Sequence, residues 1–410
     1  MISEKSLQIV KATTPAVAAH AEQITRRFYQ LLFTSNPEVK AYFNQAHQQA
    51  GTQQSALAGA ICAYASNIDN LGALGSAVEL IAQKHCSLGI QPEHYPIVGK
   101  HLLTAVKDVL GDAVTPEVTA AWAEAYGQLA EIFINREKDI YHAQATAPGG
   151  WNGYRRFVVA RKNPESEIIT SFYLQPEDQQ PIATFQPGQY ITVKINHPTV
   201  PTSPRNYSLS DRPGLEHYRI SVKREPSLIP NAPSGLVSNY LHDSVNEGDV
   251  IEIGPPCGEF VLNTARPADR PLVLLAGGIG ITPLLSMLKT MVHQAVETPV
   301  YFVQAARNSL VHALADEVRS VATERSNINL HVRYDNPLHD DLTSGRCHSV
   351  GLVDRDFLKA TLPTLDADFY FCGPRPFMIN LHRDLRSWGV DLSRIHFEFF
   401  GPRQEISEAA

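Results

Sequence analysis

The spacing of apolar residues changes its period twice along this 410-residue chain, and those two changes constrain the fold more than any other feature. Through about residue 145, apolar side chains recur every three or four positions. Examples are Ile24, Phe28 and Leu31; Leu57, Ile61, Tyr64 and Ile68; Val98, Leu102, Ala105 and Val109; and Trp122, Tyr126, Leu129 and Phe133. That is the stripe an α-helix buries. Turn signals at Asn36-Pro37, Gly51-Thr52, Gly72, Gly75, Gln91-Pro92 and Thr115-Pro116 divide the region into about seven helices and no strand.

The run Ala147-Pro148-Gly149-Gly150 ends that regime. From Arg155 the period is two. RRFVVA, IITSFYL, QYITVKI, YRISVKR and VIEIG, parted by Pro- and Gly-rich turns, predict the strands of a small antiparallel barrel. After Arg266 the apolar runs become continuous: PLVLLAGG, VYFVQAA, INLHVRYD, DFYFCGP and IHFEFF, alternating with helical stretches. Strands apolar on both faces and separated by helices imply a parallel sheet. The expected organisation is an all-α domain over 1–147, an antiparallel β-barrel over 151–265 and an α/β domain over 266–410.

Residues 271–292 are nearly all apolar and long enough to span a bilayer. GGIGITP interrupts them, however, so they read as a buried strand, a glycine loop and a helix. Net charge is −7 with no long basic block, which argues against nucleic acid, because phosphate binding needs clustered Lys and Arg. The five cysteines, Cys62, Cys86, Cys257, Cys347 and Cys372, are odd in number and widely spaced. They signal neither a disulfide framework nor a zinc site. The N-terminus lacks a basic segment followed by an apolar one, so no signal peptide is expected. These observations favour a cytoplasmic monomer that acts on small molecules and does not insert into membranes.

His85 closes a helical stripe made of Val78, Ile81 and Ala82. A single histidine on an apolar face is ordinarily a hydrogen-bonded core residue. Glu137 shifts that reading, because it lies four residues after Phe133 and three before Ile140, on the buried side of its helix. A buried carboxylate is costly unless paired, and His85 and Tyr95 are its candidate partners. Gln53 heads the stripe that continues at Leu57, and Tyr29 borders the stripe of Ile24, Phe28 and Leu32. Taken singly, these two also read as a helix-end residue and a core tyrosine.

Two further constellations lie downstream. Arg205-Asn206-Tyr207-Ser208 follows QPGQYITVKI, which contains Tyr190. Arg offers phosphate a fork of donors, and Tyr offers a flat apolar face with a polar tip. GLVSNYLHD adds Val237 and Ser238. Gly278-Ile279-Gly280-Ile281-Thr282-Pro283 follows the strand PLVLLA and opens a helix. Its glycines would let backbone approach a phosphate, with helix N–H donors behind. It is GxGxxP, not GxGxxG, and a tight strand–helix turn accounts for it equally. Cys372-Gly373-Pro374 ends another strand, where α/β sheets bind ligands. Arg307 follows VYFVQAA and reads either as a 2′-phosphate contact or as half of a surface salt bridge.

In this order, the motifs resemble the flavohaemoglobins, a globin fused to a ferredoxin-reductase-like flavin and nicotinamide module, over essentially the whole chain. NPEVKAYFN, AQKHCSLGI with EHYPIVGKHLL, and FINREKDIY carry the globin likeness. The resemblance implies haem b with His85 as axial iron ligand and Tyr95 and Glu137 behind it. Phe43 would pack on the haem, Lys84 would tune its edge, and Tyr29, Gln53 and Leu57 would line the oxygen side. It implies FAD with Arg205 on the pyrophosphate, Tyr207 against the rings, Ser208 near the reactive nitrogen and Tyr190 in contact. Asn206 belongs to the same motif, and Val237 and Ser238 would sit at the phosphates. NADH or NADPH would bind the GxGxxP loop, with Cys372-Gly373-Pro374 beside the hydride path. Glu398, Phe399, Phe400, Gly401 and Pro402 match the stretch that packs near the flavin. The implied activity is nitric oxide dioxygenase. Electrons would pass from NAD(P)H through FAD to haem, and O2 with NO would give nitrate, a detoxification. Two other readings stay open: a flavohaem reductase of ferric iron, quinones or hydroperoxides, and a haem-based oxygen sensor or carrier.

Overall fold

A computed structural model describes residues 2–43, 48, 51–197, 202–225, 234–267 and 269–400. The chain divides into two compact units. One is helical, runs through Gly153 and takes in a segment ending at Arg205; the other begins at Tyr154 and carries both sheets.

The helical unit holds α1 (Glu4–Ala19), α2 (Ala21–Ser35), α3 (Thr52–Ser66), α4 (Gly75–Leu88), α5 (His94–Leu110) and α6 (Pro116–Thr146). That is six α-helices among the described residues, against about seven expected. The turn signals near Pro37 and Gly72 correspond to the 3₁₀ turns Pro37–Tyr42 and Leu71–Leu74. The local chemistry explains the boundaries. The Thr115 hydroxyl accepts from Val118 N–H, and Pro116 occupies the first helical turn, where no donor is lost. Gly89, at φ 78°, ends α4 in the left-handed conformation. The stripes meet in one core that includes Val10, Ile24, Phe28, Leu32, Ala105, Trp122 and Ala125. A smaller cluster of Ala82, Cys86, Tyr95, Phe133 and Ile140 joins α4, α5 and α6.

In the second unit, β1 (Arg155–Ser166), β2 (Ile169–Pro176), β3 (Tyr190–Lys194), β4 (Arg205–Ser208), β5 (Tyr218–Lys223) and β6 (Val250–Ile253) form a sheet in the order β4-β3-β6-β1-β2-β5. Leu209, just past β4, bridges Ile220 of the opposite edge strand, which curls the sheet into a barrel. A short helix, α7 (Leu236–Asp243), follows β5. The parallel sheet runs β10-β9-β8-β7-β11-β12. Its strands are β7 (Leu272–Gly277), β8 (Val300–Ala306), β9 (Ile328–Tyr334), β10 (Ser349–Val350), β11 (Asp368–Cys372) and β12 (Ile395–Glu398). Helices α8 (Ile281–His293), α9 (Ala315–Thr323), α10 (His339–Thr343), α11 (Arg355–Thr361) and α12 (Arg375–Ser387) connect them.

Both faces of this sheet are covered, which is why its strands read as unbroken apolar runs. Leu272, Leu274 and Phe302 pack with α8 on one side; Val273, Leu275 and Phe371 pack with Leu358 and Leu381 on the other. Each such leucine or phenylalanine contributes roughly 1.5–3 kcal/mol by leaving water. Residues 271–292 resolve into β7, a 3₁₀ turn and α8. No helix among the described residues is long and apolar enough to cross a membrane.

The second unit also buries a histidine. His312 follows β8, is 6% exposed, and its Nδ1 lies 2.7 Å from the Tyr334 hydroxyl. Burial pushes its pKa down from 6.5 to about 4. Between those values the unfolded chain binds a proton that the folded chain refuses, so stability rises with pH across that window. Acidification from pH 6.5 towards 4 should therefore remove up to about 3 kcal/mol through this residue. Urea unfolding of the wild type and His312→Gln, run in parallel, should show a shallower pH slope in the variant.

Candidate functional site

One turn before α4 ends, His85 points its Nδ1 at α6. Glu137, on α6, is 2% exposed and meets that nitrogen through Oε1 at 2.7 Å. Tyr95, in the first turn of α5, donates its hydroxyl to the same oxygen at 2.5 Å and lies 3.1 Å from His85 Nδ1. Both partners expected for the buried acid are therefore present, on one atom. Burial, and then the neighbouring carboxylate, push the Tyr95 phenol far above its usual range, so it remains a donor. The Tyr126 hydroxyl donates to the Tyr95 carbonyl at 2.7 Å. Gly99 makes room for the Tyr126 ring, since a Cβ there would lie 2.5 Å from it.

This arrangement holds Nδ1 as the protonated nitrogen and leaves Nε2 with its lone pair, the state in which imidazole binds a metal. The His85 side chain keeps 32% of its surface accessible although Cys86 and Ser87 beside it are buried. Phe43, Leu57, Ile61, Val98, Leu102 and Leu129 pack against the helical core but remain only half-buried. Leu129 also packs on the Tyr95–Phe133 cluster. Half-covered apolar side chains in the same helical unit as a metal-ready imidazole fit a flat apolar group such as haem. Lys84 is exposed next to His85.

Tyr29 is buried on α2. Its ring stacks edge-on against Phe43 at 5.6 Å and lies 5.5 Å from Phe33. The side chains of Gln53 and Gln48 lie beside its hydroxyl and favour its ionised form, although Gln48 Nε2 itself makes no hydrogen bond among the described residues. Burial still outweighs them and pushes the phenol well above its ordinary range. Gln53 lies in the first turn of α3, as its stripe implies. Gln48 was not among the expected residues, because it precedes that helix and shares no stripe.

In the barrel, Tyr190 exchanges both backbone hydrogen bonds with Cys257 at 2.9 Å. Arg205, Asn206, Tyr207 and Ser208 form β4. The Thr192 hydroxyl donates to Asn206 Oδ1 at 3.1 Å, and the Arg205 guanidinium donates to the Ser203 and Pro204 carbonyls. Val237 and Ser238 are buried in the first turn of α7, which starts at Gly235 without a side-chain cap. Its first N–H groups suit a diphosphate.

The GxGxxP residues form the 3₁₀ turn Gly278–Gly280 and the start of α8. Here the second glycine also meets a packing demand. A Cβ on Gly280 would lie 2.1 Å from the Cys372 carbonyl oxygen, and one on Gly373 would lie 3.0 Å from Gly277 Cα. The second glycine thus lets the Cys372-Gly373-Pro374 loop approach, whereas Gly278 is open and at φ 53°. The Thr282 hydroxyl donates to Ile279 O at 3.1 Å, and Ile281 and Pro283 are buried. Cys372 is buried, and both burial and the carboxylate of its register partner Glu398 push its thiol up. Phe399 is half-buried and Phe400 exposed, while Gly401 and Pro402 lie outside the described residues. Arg307 is exposed and makes no ion pair among the described residues, so its reading as half of a salt bridge does not hold.

Three substitutions test these contacts. Glu137→Gln should weaken haem retention about 10- to 100-fold, measured by transfer to apomyoglobin, whereas His85→Ala should leave flavin bound and haem absent. Gly280→Ala should cost about 1–3 kcal/mol of thermal stability by forcing two loops apart.

Comparison with known proteins agrees with this geometry. Residues 26–133 match the globin family, 156–262 the oxidoreductase FAD-binding domain and 274–383 the oxidoreductase NAD-binding domain. The flavohemoprotein of Rhodopirellula baltica is 60% identical over 406 residues, 99% of each chain. That of Bacillus subtilis is 45% identical over 410 residues, all of both chains. Among solved structures, the flavohemoglobin of Malassezia yamatoensis, with bound FAD and haem, superposes with a TM-score of 0.85 at 27% identity, covering 98% of this chain and all of that one. The FAD/NAD-binding domain of the nitric oxide dioxygenase from Vibrio cholerae covers 60% of this chain and 99% of its own, at 36% identity and a TM-score of 0.54. An imidazole braced by a buried acid, a flavin barrel and a nicotinamide sheet, in a chain alike from end to end, place this protein in the flavohaemoglobin family, an oxidoreductase built on haem, FAD and NAD(P)H.

Proposed function

We propose that this oxidoreductase is a nitric oxide dioxygenase, consuming NAD(P)H, O2 and NO to give nitrate in the cytoplasm and so removing NO as a monomer. The observation that carries the reading is the Tyr29 hydroxyl, held by the Gln53 amide in a buried aromatic setting, in the same helical unit as the acid-braced His85. The flavin and nicotinamide domain of a nitric oxide dioxygenase is similar over the second unit, which supports it.

When bound, haem supplies an iron that takes O2, and FAD converts a hydride into single electrons. The residues do the rest. Glu137, accepting the Nδ1 proton of His85, makes that imidazole a stronger donor to iron. Tyr29 stays protonated at physiological pH and, with the Gln53 amide, offers N–H and O–H donors to a ligand that carries negative charge. Each such bond contributes about 1.5–3 kcal/mol, so the pair slows ligand loss by roughly 10²–10⁴. Leu57 excludes water while admitting a small neutral gas. Tight retention of oxygen suits consumption rather than delivery.

Removing one donor separates this activity from general reduction. Tyr29→Phe should lower NO consumption under air about 10- to 100-fold while NADH-dependent ferricyanide reduction stays near wild type. Equal loss of both rates would favour a reductase of ferric iron, quinones or hydroperoxides.

A further inference from the structure

Four charged side chains form a closed ring inside the second unit, between the barrel and the α/β region. Arg219, on β5, is 3% exposed and donates Nη1 to Glu317 Oε2 at 2.7 Å. Lys289, on α8, reaches Glu317 Oε1 and Asp211 Oδ1, each at 2.6 Å. Asp211 closes the ring, with Oδ2 3.8 Å from Arg219 Nε. Two cations and two anions cancel. Burial opposes ionisation of Asp211, but Arg219 and Lys289 overcome it and hold its carboxyl below the usual range. Backbone ties reinforce the ring. The Ser286 hydroxyl of α8 donates to Asp211 O at 2.7 Å, and Arg219 donates through Nε to Ser210 Oγ at 3.1 Å and through Nη2 to Ser210 O.

The placement of these residues is what matters. Asp211 lies three residues beyond Ser208, the end of the flavin motif. Lys289 and Ser286 lie on the helix that opens from the nicotinamide loop, and Glu317 lies in the first turn of the helix after β8. With Arg219 and Asp211 buried and Lys289 and Glu317 half-buried, the ring adds little net stability, because desolvation offsets attraction, and a packed apolar seam would hold as well. A seam of leucines, however, tolerates sliding, whereas four interlocked charges accept one register.

We propose that the Asp211–Arg219–Glu317–Lys289 ring sets the register between the flavin-motif strand and helix α8, and thereby the way nicotinamide meets flavin for hydride transfer. All four are positioning residues. This assignment concerns the entry of electrons and is independent of what the haem does with them.

The test uses the full-length holoprotein and three variants, Glu317→Gln, Lys289→Met and Lys289→Arg. Flavin reduction by NADH and by 4-deuterated NADH is followed by stopped flow, alongside melting temperature, FAD content and hydrogen–deuterium exchange of the α8 amides. Lys289→Arg keeps the charge but changes its reach, so it carries the test if the other two fail to hold FAD. It should melt like the wild type, exchange faster along α8, and reduce flavin about 10- to 100-fold more slowly, with a larger isotope effect and a near-constant KM. Unchanged reduction rate and isotope effect in Lys289→Arg and Glu317→Gln, whatever the melting temperatures, would overturn the proposal and leave the ring a structural clamp.

Discussion

The helical unit is organised around one buried carboxylate. Glu137 has almost no contact with solvent, yet a single one of its oxygens receives both His85 Nδ1 and the Tyr95 hydroxyl. An ion so placed is tolerated only where partners surround it. Three helices must therefore converge there: α4 for the imidazole, α5 for the phenol and α6 for the acid. Secondary contacts serve that convergence. Tyr126 pins the backbone of Tyr95, Gly99 clears space for Tyr126, and a two-pronged Arg136–Glu79 pair, at 2.5 and 2.9 Å, ties α6 to α4 from the residue next to Glu137. The consequence is a histidine whose orientation and proton are decided by the fold before any metal binds.

The second unit solves a different problem with different means. Its parallel sheet is insulated on both faces, so strand order and helix packing follow from hydrophobic burial. The glycine-loop and Cys372-Gly373-Pro374 motifs lie at its strand ends and their loops. There the spacing is controlled by main-chain proximity, as where Gly280 abuts Cys372, and by ionic interlock, as in the ring through Arg219. Neither device contributes much free energy. Both restrict geometry.

Sequence patterning revealed the architecture because period is a direct image of burial. Helices bury every third or fourth side chain, barrel strands every second one, and an interior parallel strand nearly all of them. Glu137 was legible for the same reason: a charge on a buried stripe is conspicuous. Arg205-Asn206-Tyr207-Ser208 was visible as a motif, but its formation of a sixth barrel strand was not, since four polar and aromatic residues show no alternation. Gln48 escaped because it lies outside any helical stripe. Gly280 was visible as a glycine, but its neighbour across the turn is Cys372, and no local pattern reports a contact between strands so far apart in the chain. The same separation hid the partners of Arg219, whose positive charge on a barrel strand looks like that of an ordinary surface residue.

Cys372 sits where two loops meet, beside the expected path of the hydride. A thiol in that position would be exposed to peroxide if it ionised, since thiolates are the form that oxidants attack. Complete enclosure and the adjoining Glu398 carboxylate keep it protonated. The junction between the two loops thus carries its sulfur as a buried thiol, the form least open to attack by oxidants.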